Sequence, residues 1–328
     1  MVLSKKEHRN IQINLVLKLD WKTLMAQFLK FLTEGGNAIS FASRINQTNV
    51  KETLEDIYDI VFPELKLNKT DKTAYVVLGS AGKKKDNDSS GDLDIAISIN
   101  HIKKEFNLKS DEDVIKKISD VVKKVSTTIQ KNSDKKSETF YKLMPGLMTF
   151  SLAFPIHNTN KKQDNEYVQV DFMPSDNIDL VGWAMSSPHH TESSTKGLVR
   201  NELFQSMIKY SDMKSTLDDD GEPLEVKRYY FNPKSGLYYV TQTRKIGKSG
   251  KPIKGLQITD KKLITSNKDK IMEFLFGSGI KALDVMTFEQ LWTLFKSKKF
   301  KFPSKRKEIE ESFRKNIKDH GIKLSNLD

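Results

Sequence analysis

The run Asp92-Leu93-Asp94-Ile95-Ala96-Ile97-Ser98 constrains this chain more than any other stretch. It opens with the two-residue alternation of a β-strand, so Asp92 and Asp94 leave one face while Leu93 and Ile95 leave the other. The apolar face requires a covering layer. The acidic face sets two like charges side by side, which a dry core disfavours and a divalent cation stabilises.

The flanking segments add to this constraint. "AYVVL" at 74–78 reads as a strand ending in Gly79-Ser80, and the following "AGKKKDNDSSG" is too polar to be buried. That segment is expected to loop over whatever the aspartates hold. A helix or tight turn starting at Gly79 and Ser80 would turn free backbone N–H groups toward a phosphate chain. Glycine would permit close approach there, and the Ser80 hydroxyl could donate to a phosphate oxygen. A third carboxylate, Asp171, stands in the apolar strand sequence "VQVDFM" at 168–173, where an isolated charge is costly. No window has the Gly-x4-Gly-Lys-Ser/Thr spacing of a P-loop, which excludes that route to phosphate binding.

Around these strands the chain reads as helices. Residues 1–50 are expected to be helical, with Leu24, Phe28, Phe31 and Leu32 on one stripe, and Leu54, Ile57, Tyr58 and Val61 repeat the pattern. Ser110 is placed to cap a helix whose buried face is Val114, Ile118, Val121 and Val125. "GLMTFSLAFPI" and "EYVQVDFMP" read as strands separated by a polar turn. The order helix, strand, strand, helix, strand, strand predicts an α/β (α+β) fold with a mixed sheet flanked by helices. The texture changes beyond Pro174, and the expected boundary lies near residue 180. Residues 1–180 are then expected to form one domain, and 181–328 a largely helical region with a β-hairpin.

The combination of "LGS" at 78–80, "DLDI" at 92–95 and "VQVDFM" at 168–173 resembles the nucleotidyltransferase superfamily typified by DNA polymerase beta. Poly(A) polymerases, CCA-adding enzymes and oligoadenylate and cyclic-dinucleotide synthases are among its members. The resemblance covers roughly residues 50–175, with a weaker echo to about residue 210. It implies that the domain at 1–180 is catalytic and that the region at 181–328 binds nucleotide or acceptor. It implies that Asp92, Asp94 and Asp171 are catalytic and hold two Mg²⁺ ions (Mn²⁺ as a substitute), and that Gly79 and Ser80 hold the triphosphate of a nucleoside triphosphate such as ATP. By position it also assigns Lys196 and Arg200, four apart on the next helix, to the β- and γ-phosphates. Asn201 is a lesser candidate for that cleft. The implied reaction moves a nucleoside monophosphate onto a hydroxyl, with an untemplated RNA 3′ end as the expected acceptor. Synthesis of linear or cyclic oligonucleotide messengers, transfer to a protein, and a binding module that keeps only the fold are the alternatives.

Other segments read as structural or as partner surfaces. His189, His190 and Glu192 lie in a loop with no further ligand to complete a metal set, and Trp183 in "LVGWAM" reads as core. "TLDDDGEP" reads as a solvated turn. "RYYFNPKSGLYYV" is a hairpin whose aromatics either pack inward or stack on bases between Lys227, Arg228 and Lys234. The basic stretch "KSKKFKFPSKRK" carries two phenylalanines and could follow a phosphate backbone. "FGSGIKALD" repeats Gly-Ser with no Asp-x-Asp after it, so Gly-Ser alone carries no weight.

Composition fits this picture. Lys plus Arg number 55 against 43 Asp plus Glu, a formal charge of +12 that favours polyanionic partners such as RNA. The chain has no cysteine, which excludes disulfides and thiolate metal sites and fits a cytoplasmic setting. No apolar run approaches the roughly 20 residues that span a bilayer, and the interrupted N-terminal apolar stretch does not read as a signal peptide.

Overall fold

The 328-residue chain is described by a computed structural model covering residues 38–144, 148–158, 163–193, 197–218, 220–246 and 252–319. The stripe at 24–32 and Lys196 lie outside the described residues. By internal contacts the chain divides after Ile178 into two units. Both contain helices and sheet, so the fold is mixed α/β.

The first unit is built on the aspartate-bearing strand. Strands β2 (Tyr75–Val77), β4 (Asp92–Ser98), β5 (Tyr141–Met144), β6 (Thr149–Pro155) and β7 (Tyr167–Ser175) form one five-stranded sheet. Its order is β2-β4-β7-β6-β5, with β4 and β7 parallel and every other pair antiparallel. A parallel pair needs a long crossover, and helices α2 (Ile99–Phe106) and α3 (Asp111–Lys131) lie in the connection from β4. Helix α1 (Gln47–Ile60) precedes the sheet, and the small strands β1 (Ile45–Asn46) and β3 (Ser89–Ser90) pair beside it.

Alternation along β4, β6 and β7 divides the two faces. Leu93, Ile95 and Ile97 join Val170, Phe172, Phe150, Leu152 and Phe154 in the main core. Ile57 and Val61 from the α1 region and Val114, Ile118, Val121, Val122 and Val125 from α3 close that core. Ser110 caps α3 as its position predicts, its hydroxyl accepting from the Asp113 N–H. Residues 38–46 depart from the helical expectation: they are turn and extended chain, and Ser43 N–H donates to the Tyr167 carbonyl at 2.7 Å. They meet the sheet at the first residue of the inner strand β7, and the helix starts only at Gln47.

The second unit holds an antiparallel sheet in the order β11-β10-β9-β8, from strands β8 (Lys214–Leu217), β9 (Pro223–Asn232), β10 (Gly236–Ile246) and β11 (Pro252–Thr265). Helices α4 (Ile178–Met185), α5 (Gly197–Tyr210), α6 (Lys268–Phe276), α7 (Phe288–Lys296) and α8 (Arg306–Asp319) complete it. The β9–β10 hairpin stands where the turn chemistry predicts it, but two further strands extend it to a sheet. β11 escapes sequence reading because it is an edge strand whose 259–264 stretch is exposed throughout, so no burial imposes an alternating pattern on it. Among the described residues no helix is long and apolar enough to cross a membrane.

Candidate metal centre

The face of the first sheet opposite the main core carries the acids. In the parallel ladder Asp94 is the register partner of Asp171 and Asp92 is the partner of Gln169. In the neighbouring antiparallel ladder Ser151 is the partner of Asp171. Partners in register share a face, so Asp94, Asp171 and Ser151 form one row across three strands. One carboxylate oxygen each from Asp92, Asp94 and Asp171 lies within 4.8 Å of the others.

The three carboxylates differ in environment. Asp171 is fully buried; Ser151 Oγ donates to its Oδ1 at 2.6 Å, and Gln169 Nε2 donates to its Oδ2 at 2.9 Å. Burial, and then the charge of Asp92, pushes its carboxyl up to about 7, against the pull of those two hydrogen bonds. Asp94 is half-buried as a residue, yet its Oδ1 is sealed from solvent and has no protein hydrogen-bond partner. Burial first, then the charges of Asp92 and Asp171, drive its carboxyl well above the ordinary range. A buried acceptor left without a donor is expensive.

This donor set fits a hard divalent cation. It offers carboxylate oxygens and no nitrogen or sulfur, the ligand chemistry of Mg²⁺ or Mn²⁺. A cation there would take up the unpartnered Asp94 oxygen and offset the repulsion among three negative groups.

The Gly-Ser turn packs against the same cluster. Leu78 N–H donates to the Asp94 carbonyl at 2.8 Å, which brings Gly79 alongside. Gly79 has a φ of +67°, and a Cβ added to it would stand 2.9 Å from Asp94 Oδ2. Glycine is therefore required twice here, for the backbone conformation and for the room. The segment at Ser80 is a tight turn rather than a helix, closed by Lys83 N–H on the Ser80 carbonyl at 3.1 Å. Gln47 at the start of α1 ties the turn down, its Oε1 accepting from Gly82 N–H at 2.8 Å. The N–H groups of Gly82 and Lys83 are thus engaged within the protein. Lys84 Nζ bonds the Ser89 carbonyl at 2.7 Å, so it braces its own loop.

Arg200, which the resemblance assigned to the β- and γ-phosphates, is 3% exposed, and its guanidinium donates instead to the carbonyls of Trp183, Ala184, Val285 and Met286. That fork ties the end of α4 to the 282–285 turn, and burial lowers its pKa to about 10. These hydrogen bonds commit the guanidinium ends to carbonyls inside the second unit.

Trp183 is buried as its sequence predicts, with Nε1 donating to the Ala282 carbonyl. His189 and His190 sit in an exposed loop with their rings 4.2 Å apart. In the basic stretch, Phe300 is core and Phe302 packs near Phe274, so neither is a free stacking platform. Of the hairpin aromatics, Tyr230 and Phe231 are buried, and Tyr229 pairs with Tyr239 across the strands.

Gln169 and Ser151 were not apparent from the sequence. Gln169 had a usable signal, a polar residue two before Asp171 on the same strand face. Ser151 is identified only by the pairing of β6 with β7. No protein-family model matches this chain, and no curated protein matches it.

Proposed function

We propose that this protein is a divalent-cation-dependent nucleotidyltransferase. The observation that carries the reading is the convergence of Asp92, Asp94 and Asp171 within 4.8 Å, with Gly79 held against Asp94. In the reaction, an acceptor hydroxyl oxygen bonds to the α-phosphorus of a nucleoside triphosphate. The α–β phosphoanhydride breaks and pyrophosphate leaves. Bound Mg²⁺ would supply Lewis-acid activation of the attacking oxygen and neutralise the leaving one. Asp92, Asp94 and Asp171 would hold it.

The chain's own groups contribute position and proton handling. Gly79 leaves the space beside Asp94 open for close approach of a phosphate oxygen, and Ser80 follows it in the turn. Asp171 is the carboxylate assigned to take the hydroxyl proton, because it stands in the same cluster as Asp92 and Asp94, beside the place the attacking oxygen would occupy. Arg200 has no part in binding the triphosphate. The formal charge of +12 favours a polyanionic acceptor, and an RNA 3′ hydroxyl is the acceptor assigned.

Incubating the protein with each α-labelled nucleoside triphosphate, Mg²⁺ and single-stranded RNA tests this. Lengthened RNA together with released pyrophosphate is the expected result, lost in Asp94→Asn. A labelled small product, or labelled protein, would move the acceptor assignment and keep the reaction. Absence of pyrophosphate release with every triphosphate and acceptor would overturn the reaction itself.

A further inference from the structure

Gln169 is an unusual occupant of its position. It is a primary amide with no solvent exposure, set on β7 between an apolar pad and the carboxylates. Ile39, Phe140, Ala153 and Tyr167 make that pad, and Ala153 is the register partner of Gln169. Its amide spans the two environments. Oε1 accepts from the backbone N–H groups of Ala38 at 2.8 Å and Ile39 at 3.1 Å, and Nε2 donates to Asp171 Oδ2 at 2.9 Å. The two N–H donors fix which end of the amide is oxygen, since a flipped amide would face donors with donors. Ser151 holds the other oxygen of the same carboxylate, at 2.6 Å. Donors on both oxygens fix the plane of the Asp171 carboxyl group and leave its remaining lone pairs for a ligand.

We propose that Gln169 is a positioning residue for the cation site, fixing the Asp171 carboxylate to the seat of residues 38–39, so that this segment's docking sets the site's affinity. The inference rests on reading the three aspartates as a cation site. A glutamine placed only to satisfy two buried N–H groups would matter for stability and not for the cation. Groups that orient metal ligands matter for both, and their loss typically weakens metal affinity by about 10- to 100-fold.

The test is a double-mutant cycle on the full chain, with Mn²⁺ as the probe and free ion read by electron paramagnetic resonance. Gln169→Leu is expected to weaken Mn²⁺ binding by about ten-fold in the parent. In an Asp171→Asn background the same change is expected to do little, because the carboxylate it orients is already gone. Equal losses in both backgrounds, or no loss in the parent, overturn the positioning role while leaving the cation site standing. Should the parent bind no Mn²⁺, the site and the role fall together. Ala38→Pro removes one donor from outside the strand and keeps Gln169, so it serves where Gln169→Leu does not fold. A loss of about three-fold is expected there, and unchanged affinity overturns the proposal.

Discussion

Asp94 and Asp171 are register partners across the parallel pair of β4 and β7, and burial, ahead of neighbouring negative charge, raises the proton affinity of both carboxyls. A fully buried acid beside one with a sealed, unpartnered oxygen is a standing cost to the fold. Relieving that cost and preserving the proposed reaction are opposed requirements.

Asp94→Asn is therefore expected to abolish transfer and to stabilise the cation-free protein by about 1 kcal/mol, seen as a melting temperature about 3 °C higher. Adding Mn²⁺ at a hundred times its Kd should stabilise the parent by about 2.7 kcal/mol and leave the variant unchanged. Thermal melts with and without the ion check both. A less stable, ion-responsive variant would contradict the arrangement.

Gly79→Ala meets two penalties at one position. The left-handed backbone costs a residue with a Cβ about 1–2 kcal/mol, and the new methyl presses on Asp94 Oδ2. A loss of about 2 kcal/mol in urea unfolding is expected, with weakened Mn²⁺ binding. Gly221→Ala is the control. It has a comparable φ of +78° and open space around it, so it should lose stability alone.

Glu202 gives the second unit a pH signature. It is 1% exposed in α5, accepts from Asn316 Nδ2 at 3.0 Å, and burial raises its carboxyl to about 7. The folded state keeps a proton that the unfolded chain releases near 4.5, so this stabilising contribution is full below that pH and is lost as pH rises through about 7. The decline amounts to about 3 kcal/mol. Glu202→Gln keeps a side-chain oxygen to accept from Asn316 and should flatten the profile between about pH 5 and about pH 8 in denaturant titrations. An unchanged slope would refute the assignment.

Arg200→Lys separates charge from geometry. A lysine ammonium cannot reach the carbonyls of Trp183, Ala184, Val285 and Met286 together, so acceptors are left buried without donors. A loss of about 2 kcal/mol in unfolding free energy is expected. Equal stability of the two proteins would mean that the fork does not hold the α4 end.

The sequence by itself determined the elements that local periodicity controls. The alternation in "DLDIAISI" and the apolar frame of "VQVDFM" marked β4 and β7 with their inward and outward sides, and Ser110 with Val114, Ile118, Val121 and Val125 marked α3. These patterns are legible because one side of each element is buried, and burial imposes the period. The edge strand β11 has no such constraint and left no pattern. Arg200 was assigned to phosphate because it stands four residues from Lys196 on the helix after the sheet, a spacing that puts both on one face and says nothing of burial. Burial on a helix enclosed on most sides is decided by what packs around it, and spacing does not record that.

What only the tertiary structure decided is adjacency. Asp94 and Asp171 are 77 positions apart in sequence, and their register was settled by which strand lies beside β4. The same choice placed Ser151 and Gln169 on the two oxygens of Asp171 and brought residues 38–39 to the far end of that amide. Strand order and register come from burying one apolar face against α3 and the chain around α1. A carboxylate's environment follows from that global packing and not from its neighbours in the chain.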